Sequence, residues 1–294
     1  MQFHDRKSRC ALRSLELTFD CKVESWFVGK TWNNRGIEQK MNLQTITAIG
    51  RAAALSAWTI VVVSPAVVRA AFVRNNLSFA LRVRKRWARC TMKLLGVSVR
   101  SKGALPCQGP CLYVGNHRSY FDPIVVLKDL EVLPVAKAEM SSWPLIGFAA
   151  RATGIMFVKR ESRESRSNTL QSMENCLREG YSVLVYPEGT THMEPGTIRF
   201  NTGAFRLAAA LEIPMVPIAI EYHEEADAWV GNDTFVPHFL RTFGRKKTAV
   251  DISYGPAFRS GDSAELLSQV KTWVDAEMER MRADINDRKK LHPC

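Results

Sequence analysis

Along the first hundred residues, the pattern of apolar and polar positions falls into three stretches. Residues 1–40 mix charged and apolar positions with no steady period. They contain no continuous apolar core of the kind a secretory signal needs. The expectation is a poorly structured N-terminal extension, with Met41 as the native start. From Ala52 to Val68 the chain is uncharged and strongly apolar. That run is at the short limit for crossing a bilayer, and a buried or interfacial helix is the alternative. Ser78–Gly96 then spaces Val83, Trp87, Cys90 and Leu94 three or four apart, while Arg82, Lys85, Arg86, Arg89 and Lys93 fill much of the remaining circumference. This predicts a basic amphipathic helix suited to anionic lipid, or else an ordinary surface helix. Residues 41–97 thus read as membrane-associating helices. If the apolar run spans, the basic residues after it put everything downstream in the cytoplasm.

After Arg100 short apolar runs alternate with helical patterns. Strands are predicted at Cys111–Gly115, Val132–Ala136, Ile155–Val158, Ser182–Tyr186, Met215–Glu221 and Ala249–Tyr254, and helices at Glu164–Glu179 and Gly203–Leu211. A last helix starts near Asp262–Ser263, with Glu265 placed to close a capping box, and buries Leu266, Val270, Trp273 and Met278. This succession predicts an α/β domain over residues 98–294: a mostly parallel sheet flanked by helices, behind the N-terminal membrane-associating helical segment.

Charge narrows the partners without choosing one. The 294 residues carry a formal charge of +12, which favours nucleic acid, acidic ligands or an anionic membrane face. The basic residues cluster on the amphipathic helix, and no nucleic-acid motif is present, so no nucleic-acid partner is expected. The seven cysteines recur at neither framework nor zinc-site spacing and read as reduced thiols.

The sharpest chemical feature is Asn116-His117-Arg118-Ser119-Tyr120-Phe121-Asp122, directly after the first strand of the α/β domain. Five residues apart on a helix, His117 and Asp122 would lie about 140° apart, and on a strand they would face opposite ways. A turn lets the carboxylate reach the imidazole, giving a general base held in one tautomer by an acid, its hydroxyl partner supplied by the substrate. Alternatively, Asp122-Pro123 is an ordinary helix start, with aspartate as N-cap. A second cluster, Gly154 to Lys159-Arg160, ends a strand in two cations. A third, Tyr186-Pro187-Glu188-Gly189-Thr190, is a turn after another strand. In a parallel sheet these strand ends share one edge, where open α/β folds bind ligands.

Together these blocks resemble the glycerolipid acyltransferase family, of which bacterial 1-acylglycerol-3-phosphate acyltransferase is the type. Its Asn-His-x4-Asp block stands as Asn116–Asp122, its Gly-x-x-Phe-x-x-Arg block as Gly154–Arg160, and its Phe-Pro-Glu-Gly-Thr block as Tyr186–Thr190. The proline-containing apolar block matches at Val216–Ile220. The resemblance implies that His117, oriented by Asp122, takes the acceptor's hydroxyl proton for attack on the thioester of acyl-carrier protein or acyl-CoA. Lys159 and Arg160 would hold an acidic head group, and Glu188, Gly189 and Thr190 would shape the same pocket. No metal or organic cofactor is implied. The acceptor implied is lysophosphatidate, giving phosphatidic acid, at the cytoplasmic face of a bacterial inner membrane. Two departures bear on it: Thr191 stands where the family usually has arginine, and Asn201 where it often has lysine. Arg199 is a possible substitute cation, and lyso-ornithine lipid is the alternative acceptor. A non-catalytic lipid-binding protein of the same fold is the competing reading, against which the intact His117–Asp122 pair counts.

Overall fold

Side-chain alternation along the strands builds two cores, one on each face of a seven-stranded sheet. On β2 (Leu112–Gly115), Tyr113 enters one core while Leu112 and Val114 enter the other. On β6 (Met215–Tyr222), Val216, Ile218 and Ile220 face the first, and Met215 and Ala219 the second. This is the period of two expected of strands covered on both faces. The computed structural model describes residues 43–291 apart from 73–76, 104–108, 143–146, 148–149 and 151–152. The expected N-terminal extension and start site lie outside the described residues.

The remaining strands are β1 (Val97–Lys102), β3 (Val132–Lys137), β4 (Met156–Val158), β5 (Ser182–Val185) and β7 (Thr248–Tyr254), in the order β1-β7-β6-β2-β5-β3-β4. Every neighbouring pair is parallel except β6 with β7. The expected mostly parallel sheet is therefore present, with its predicted strands ending within a residue or two of their expected limits. The carboxyl ends of β2, β4, β5 and β6 fall on one edge. β1 was not anticipated. Its sequence VSVRSK has only two apolar residues and lies at the sheet's border, with one side chain buried, so it carries little of the hydrophobic signal of a central strand.

The helices are α1 (Leu43–Phe72), α2 (Leu77–Leu95), α3 (Asp122–Leu127), α4 (Arg163–Arg178), α5 (Gly203–Leu211), α6 (Phe235–Phe243) and α7 (Ser263–Leu291). α7 buries Leu266, Val270, Val274, Met278, Met281 and Ile285, a stripe spaced three or four apart. Val274 takes the buried place expected of Trp273, which lies half-buried at its side against Gly255. At its start the Asp262 carboxylate accepts the Ala264 N–H at 2.8 Å, while Glu265 turns to the Ser260 hydroxyl and does not close the expected box. Truncating Leu266 to alanine at this fully buried position would cost about 2–5 kcal/mol.

α2 presents two inner faces. Ala80, Leu81, Arg84, Ala88, Thr91, Met92 and Leu95 are buried against the sheet domain, whereas the expected apolar stripe at Val83, Trp87, Cys90 and Leu94 is only half-buried. The reason is a second partner, α1: Trp87 Nε1 donates to Thr59 Oγ1 at 2.9 Å, and Trp58 Nε1 donates to the Trp87 carbonyl. Arg84 is fully buried and donates to the carbonyls of Thr153 and Val132, and burial pulls its pKa down to about 9. Arg82, Arg86, Arg89 and Lys93 remain exposed along the outer face.

Within α1, Leu43–Pro65 is long and apolar enough to cross a membrane by length and composition, with a mean hydropathy of 1.7 and only 17% of the window buried. Ile46, Ile49, Ile60, Val61 and Val68 are exposed on it. Its inner side is anchored: Ala48 is buried, and Arg51 donates to the carbonyls of Phe243, Arg245 and Lys246 at and beyond the end of α6. A cation there meets unsatisfied carbonyls and the negative end of the helix dipole. Cys90 and Cys176 are reduced. Cys111 is disulfide-bonded, contrary to the expectation of reduced thiols throughout; a single bridge needs only one pair within reach, which spacing rules for frameworks do not test.

Candidate active site

The loop after β2 is held in place before any chemistry is considered. Asn116, fully buried, extends the sheet with its side chain, donating Nδ2–H to the Ile220 carbonyl at 2.9 Å and accepting the Ile220 N–H at 2.8 Å. Arg118 is buried beside it. Its guanidinium pairs with Glu221 at 3.0 Å and donates to the carbonyls of His192 and Glu194. Burial raises the pKa of Glu221, an effect that the Arg118 charge opposes. Removing either partner would leave a buried charge uncompensated, at a cost of about 3–5 kcal/mol.

Between these anchors the loop turns back, and His117 Nδ1 meets Asp122 Oδ2 at 2.8 Å. The same oxygen accepts the backbone N–H groups of Arg118 at 2.6 Å and Ser119 at 2.8 Å, and Oδ1 accepts from the Tyr222 hydroxyl at 2.8 Å. Asp122 is not the N-cap of α3; that position is Phe121. The carboxylate faces the histidine loop instead, with Pro123 following in the first turn, where its missing N–H costs nothing. Burial, reinforced by the Asp122 charge, pushes the Tyr222 hydroxyl well above its usual pKa, so it stays a donor. With Asp122 accepting, His117 carries its proton on Nδ1 and leaves Nε2 as an acceptor. The imidazole side chain is 14% exposed, and Tyr186 stacks on its face with ring centroids 4.3 Å apart. Gly115 makes room for that stack: a Cβ there would meet the Tyr186 ring at 3.0 Å. The Tyr186 hydroxyl is buried with no hydrogen-bond partner among the described residues.

The turn after β5 supplies the second wall. Glu188 is buried, and its Oε2 accepts the His117 backbone N–H at 2.6 Å, while Oε1 meets His192 Nε2 at 2.6 Å and the Ile198 N–H at 3.2 Å. It therefore lies against the backbone of the histidine loop and does not point into an open pocket. Gly189 has φ +72°, a conformation a side chain would strain, and its carbonyl accepts from the Arg160 guanidinium. Half-buried Arg160 is thereby tied to the same edge. Burial lowers its pKa from the ordinary value, with Glu139 and Glu161 acting in the opposite direction. Lys159 and Thr190 are exposed and are not drawn into this cluster.

The two departures acquire structural roles. Thr191 Oγ1 donates to the Trp229 carbonyl, and Asn201 Nδ2 donates to the Pro187 carbonyl at 2.8 Å. Neutral side chains thus fasten backbone where cations would otherwise stand, and Arg199 is exposed. Sequence reasoning missed Tyr222 and His192, which lie outside the family blocks. It named Asn116 and Arg118 within a block without assigning them a role.

The family model described as Acyltransferase matches residues 96–221. The lyso-ornithine lipid O-acyltransferase of Rhizobium meliloti is 30% identical over 59% of this chain and 65% of its own length. That of Pseudomonas aeruginosa is 32% identical over 66% of this chain and 77% of its own length. The chain belongs to the acyltransferase family. As a member it also shares its fold with the crystal structure of the 1-acyl-sn-glycerophosphate (LPA) acyltransferase from Thermotoga maritima. The TM-score is 0.61 at 19% identity, covering 82% of this chain and 95% of that one.

Proposed function

We propose that this acyltransferase esterifies the free hydroxyl of a lysolipid, drawing the acyl chain from a thioester carrier, either acyl-carrier protein or acyl-CoA. The observation that carries the reading is the His117–Asp122 pair, its Nδ1–H engaged at 2.8 Å and its Nε2 left as acceptor. Nε2 takes the acceptor's hydroxyl proton as the oxygen attacks the thioester carbonyl. The tetrahedral intermediate then collapses, the C–S bond breaks, and the departing thiol sulfur takes that proton back. Asp122, with four hydrogen bonds already made, orients the imidazole and balances its transient charge. The half-buried Arg160 guanidinium has no ion-pair partner among the described residues, which suits it to an anionic head-group atom.

Lyso-ornithine lipid is the acceptor favoured by Thr191 and Asn201, neutral residues where phosphate-binding cations are absent, and by the relatives of that name. Lysophosphatidate is the second reading, favoured by Arg160, a geometrically good phosphate ligand. The exposed apolar side of α1 and the cationic row on α2 would seat the enzyme on the cytoplasmic leaflet of a bacterial inner membrane, with residues 98–294 as the acyltransferase domain. The test is a matrix of two donors and two acceptors with purified enzyme. Ester formation on one acceptor identifies it. Folded enzyme that transfers to neither from either donor would contradict the proposal.

A further inference from the structure

What fixes the proposed base is not only its aspartate. The backbone of His117 is held on both sides by a single segment: its N–H donates to Glu188 Oε2 at 2.6 Å, and its carbonyl accepts the His192 N–H at 3.4 Å. Glu188 is itself a demanding partner, since its side chain is fully removed from solvent and a buried carboxylate must be matched by donors. Two of those donors are the backbone N–H groups of His117 and Ile198, and the third is the imidazole of His192, at 2.6 Å from Oε1.

The tautomer of His192 follows from its other nitrogen. The Glu194 backbone N–H points at Nδ1 at 3.1 Å, and the Arg118 guanidinium stands 3.4 Å from the same atom. Two donors facing Nδ1 make it the acceptor, so the ring proton is on Nε2 and is donated to Glu188. The segment carrying His192 cannot easily shift. Arg118 holds the carbonyls of His192 and Glu194, Arg282 holds that of Pro195, and Asp275 takes both the N–H and hydroxyl of Thr197.

We propose that His192 is a positioning residue for catalysis: its Nε2–H, acting through Glu188, sets the backbone position of His117 and hence the aim of the catalytic nitrogen. The inference rests on His117 being the base of the acyl transfer proposed above. Without that donor, Glu188 keeps only backbone partners on a buried charge. It then relaxes by drawing in water or a proton, and its bond to the His117 N–H loosens. A displacement of well under an ångström at a general base is enough to lower turnover without altering substrate contacts.

Two substitutions of similar polarity separate this role from a merely structural one. His192→Gln places an amide N–H near the Nε2 position and can still donate to Glu188, whereas His192→Asn keeps a polar atom near Nδ1 but is too short to reach the carboxylate. Both are assayed beside wild type and His117→Ala, below their melting transitions. The expected result is that kcat of His192→Asn falls by about tenfold or more with both KM values within about twofold, while His192→Gln stays within about threefold of wild type. If the asparagine and glutamine variants match each other, whether both active or both impaired, the donor role is wrong. If His117→Ala retains wild-type turnover, the reading of the base itself has failed, a separate outcome that the same assay reads.

Discussion

Asp122 Oδ1 receives the Tyr222 hydroxyl at 2.8 Å, a bond that ties the end of β6 to the first residue of α3 across the floor of the site. The two residues lie a hundred positions apart, and neither works as well alone: the carboxylate is fully buried and the tyrosine almost so. Tyr222→Phe leaves a buried carboxylate oxygen short of one donor, a loss of about 1–3 kcal/mol. The variant is expected to melt earlier and to lose about tenfold in kcat, because the Asp122 carboxylate is freed to rotate away from the imidazole. Differential scanning calorimetry with steady-state kinetics checks both, and unchanged values for both would remove Tyr222 from the account.

Much of this site was legible in the sequence because short-range rules governed it. His117 and Asp122 are five apart, a separation that only a turn brings together. The clusters ending in Arg160 and Thr190 follow strands whose shared edge parallel topology dictates. The rest was not legible. Lys159, just past the end of β4, is exposed while Arg160 beside it is half-buried. His192 meets Glu188 only four residues away, but within an irregular loop that no periodic pattern describes. Tyr222 meets its carboxylate a hundred positions away, a partner that no local pattern announces. The same limit explains α2. Its periodicity revealed a helix, but two packing partners, one of them α1, moved the most buried face to Leu81, Arg84, Ala88 and Met92.

Arg160 gives a prediction that splits binding from chemistry. Its guanidinium reaches Gly189 from a half-buried position, so an anionic head group would gain a charge-assisted bond there. Arg160→Ala should raise the acceptor KM by about tenfold or more while changing the donor KM less than about twofold. Arg160→Lys should recover only part, since it cannot hold Gly189 and the ligand with a planar fork. Equal effects on the two KM values would place Arg160 outside the acceptor site.

Stability at acid pH should depend on Asp251. It is buried on β7 and bonds to Arg100 on β1, to His223 after β6 and to Arg288 on α7. Burial opposes its ionisation, but the hydrogen bonds from His223 and Arg100 outweigh that and hold its pKa below the ordinary 3.8. A carboxyl with its folded pKa depressed contributes stability that is present above the unfolded value and is lost as pH falls through the folded one. Asp251→Asn should therefore lower the melting temperature at neutral pH and narrow the gap to wild type below pH about 3.8. A gap that stays constant across that range, read by thermal melts, would show that the charge of Asp251 is not the source.

The outer face of α2 predicts the lipid dependence of membrane binding. Arg82, Arg86 and Lys93 are exposed, and each basic residue near an anionic surface contributes roughly 1 kcal/mol. Replacing all three with glutamine should weaken binding to anionic liposomes by about a hundredfold and binding to neutral liposomes far less. Unchanged binding to both kinds of liposome, measured by co-sedimentation, would assign membrane binding to the apolar side of α1 alone.

The central claim is that His117 is the base of an acyl transfer, and it is tested most directly by the turnover of His117→Ala with saturating lysolipid and acyl donor. The expected result is a fall in kcat of at least about a hundredfold, the usual contribution of a positioned general base, with melting behaviour close to that of wild type. A folded His117→Ala variant that turns over within a few-fold of wild type would contradict it.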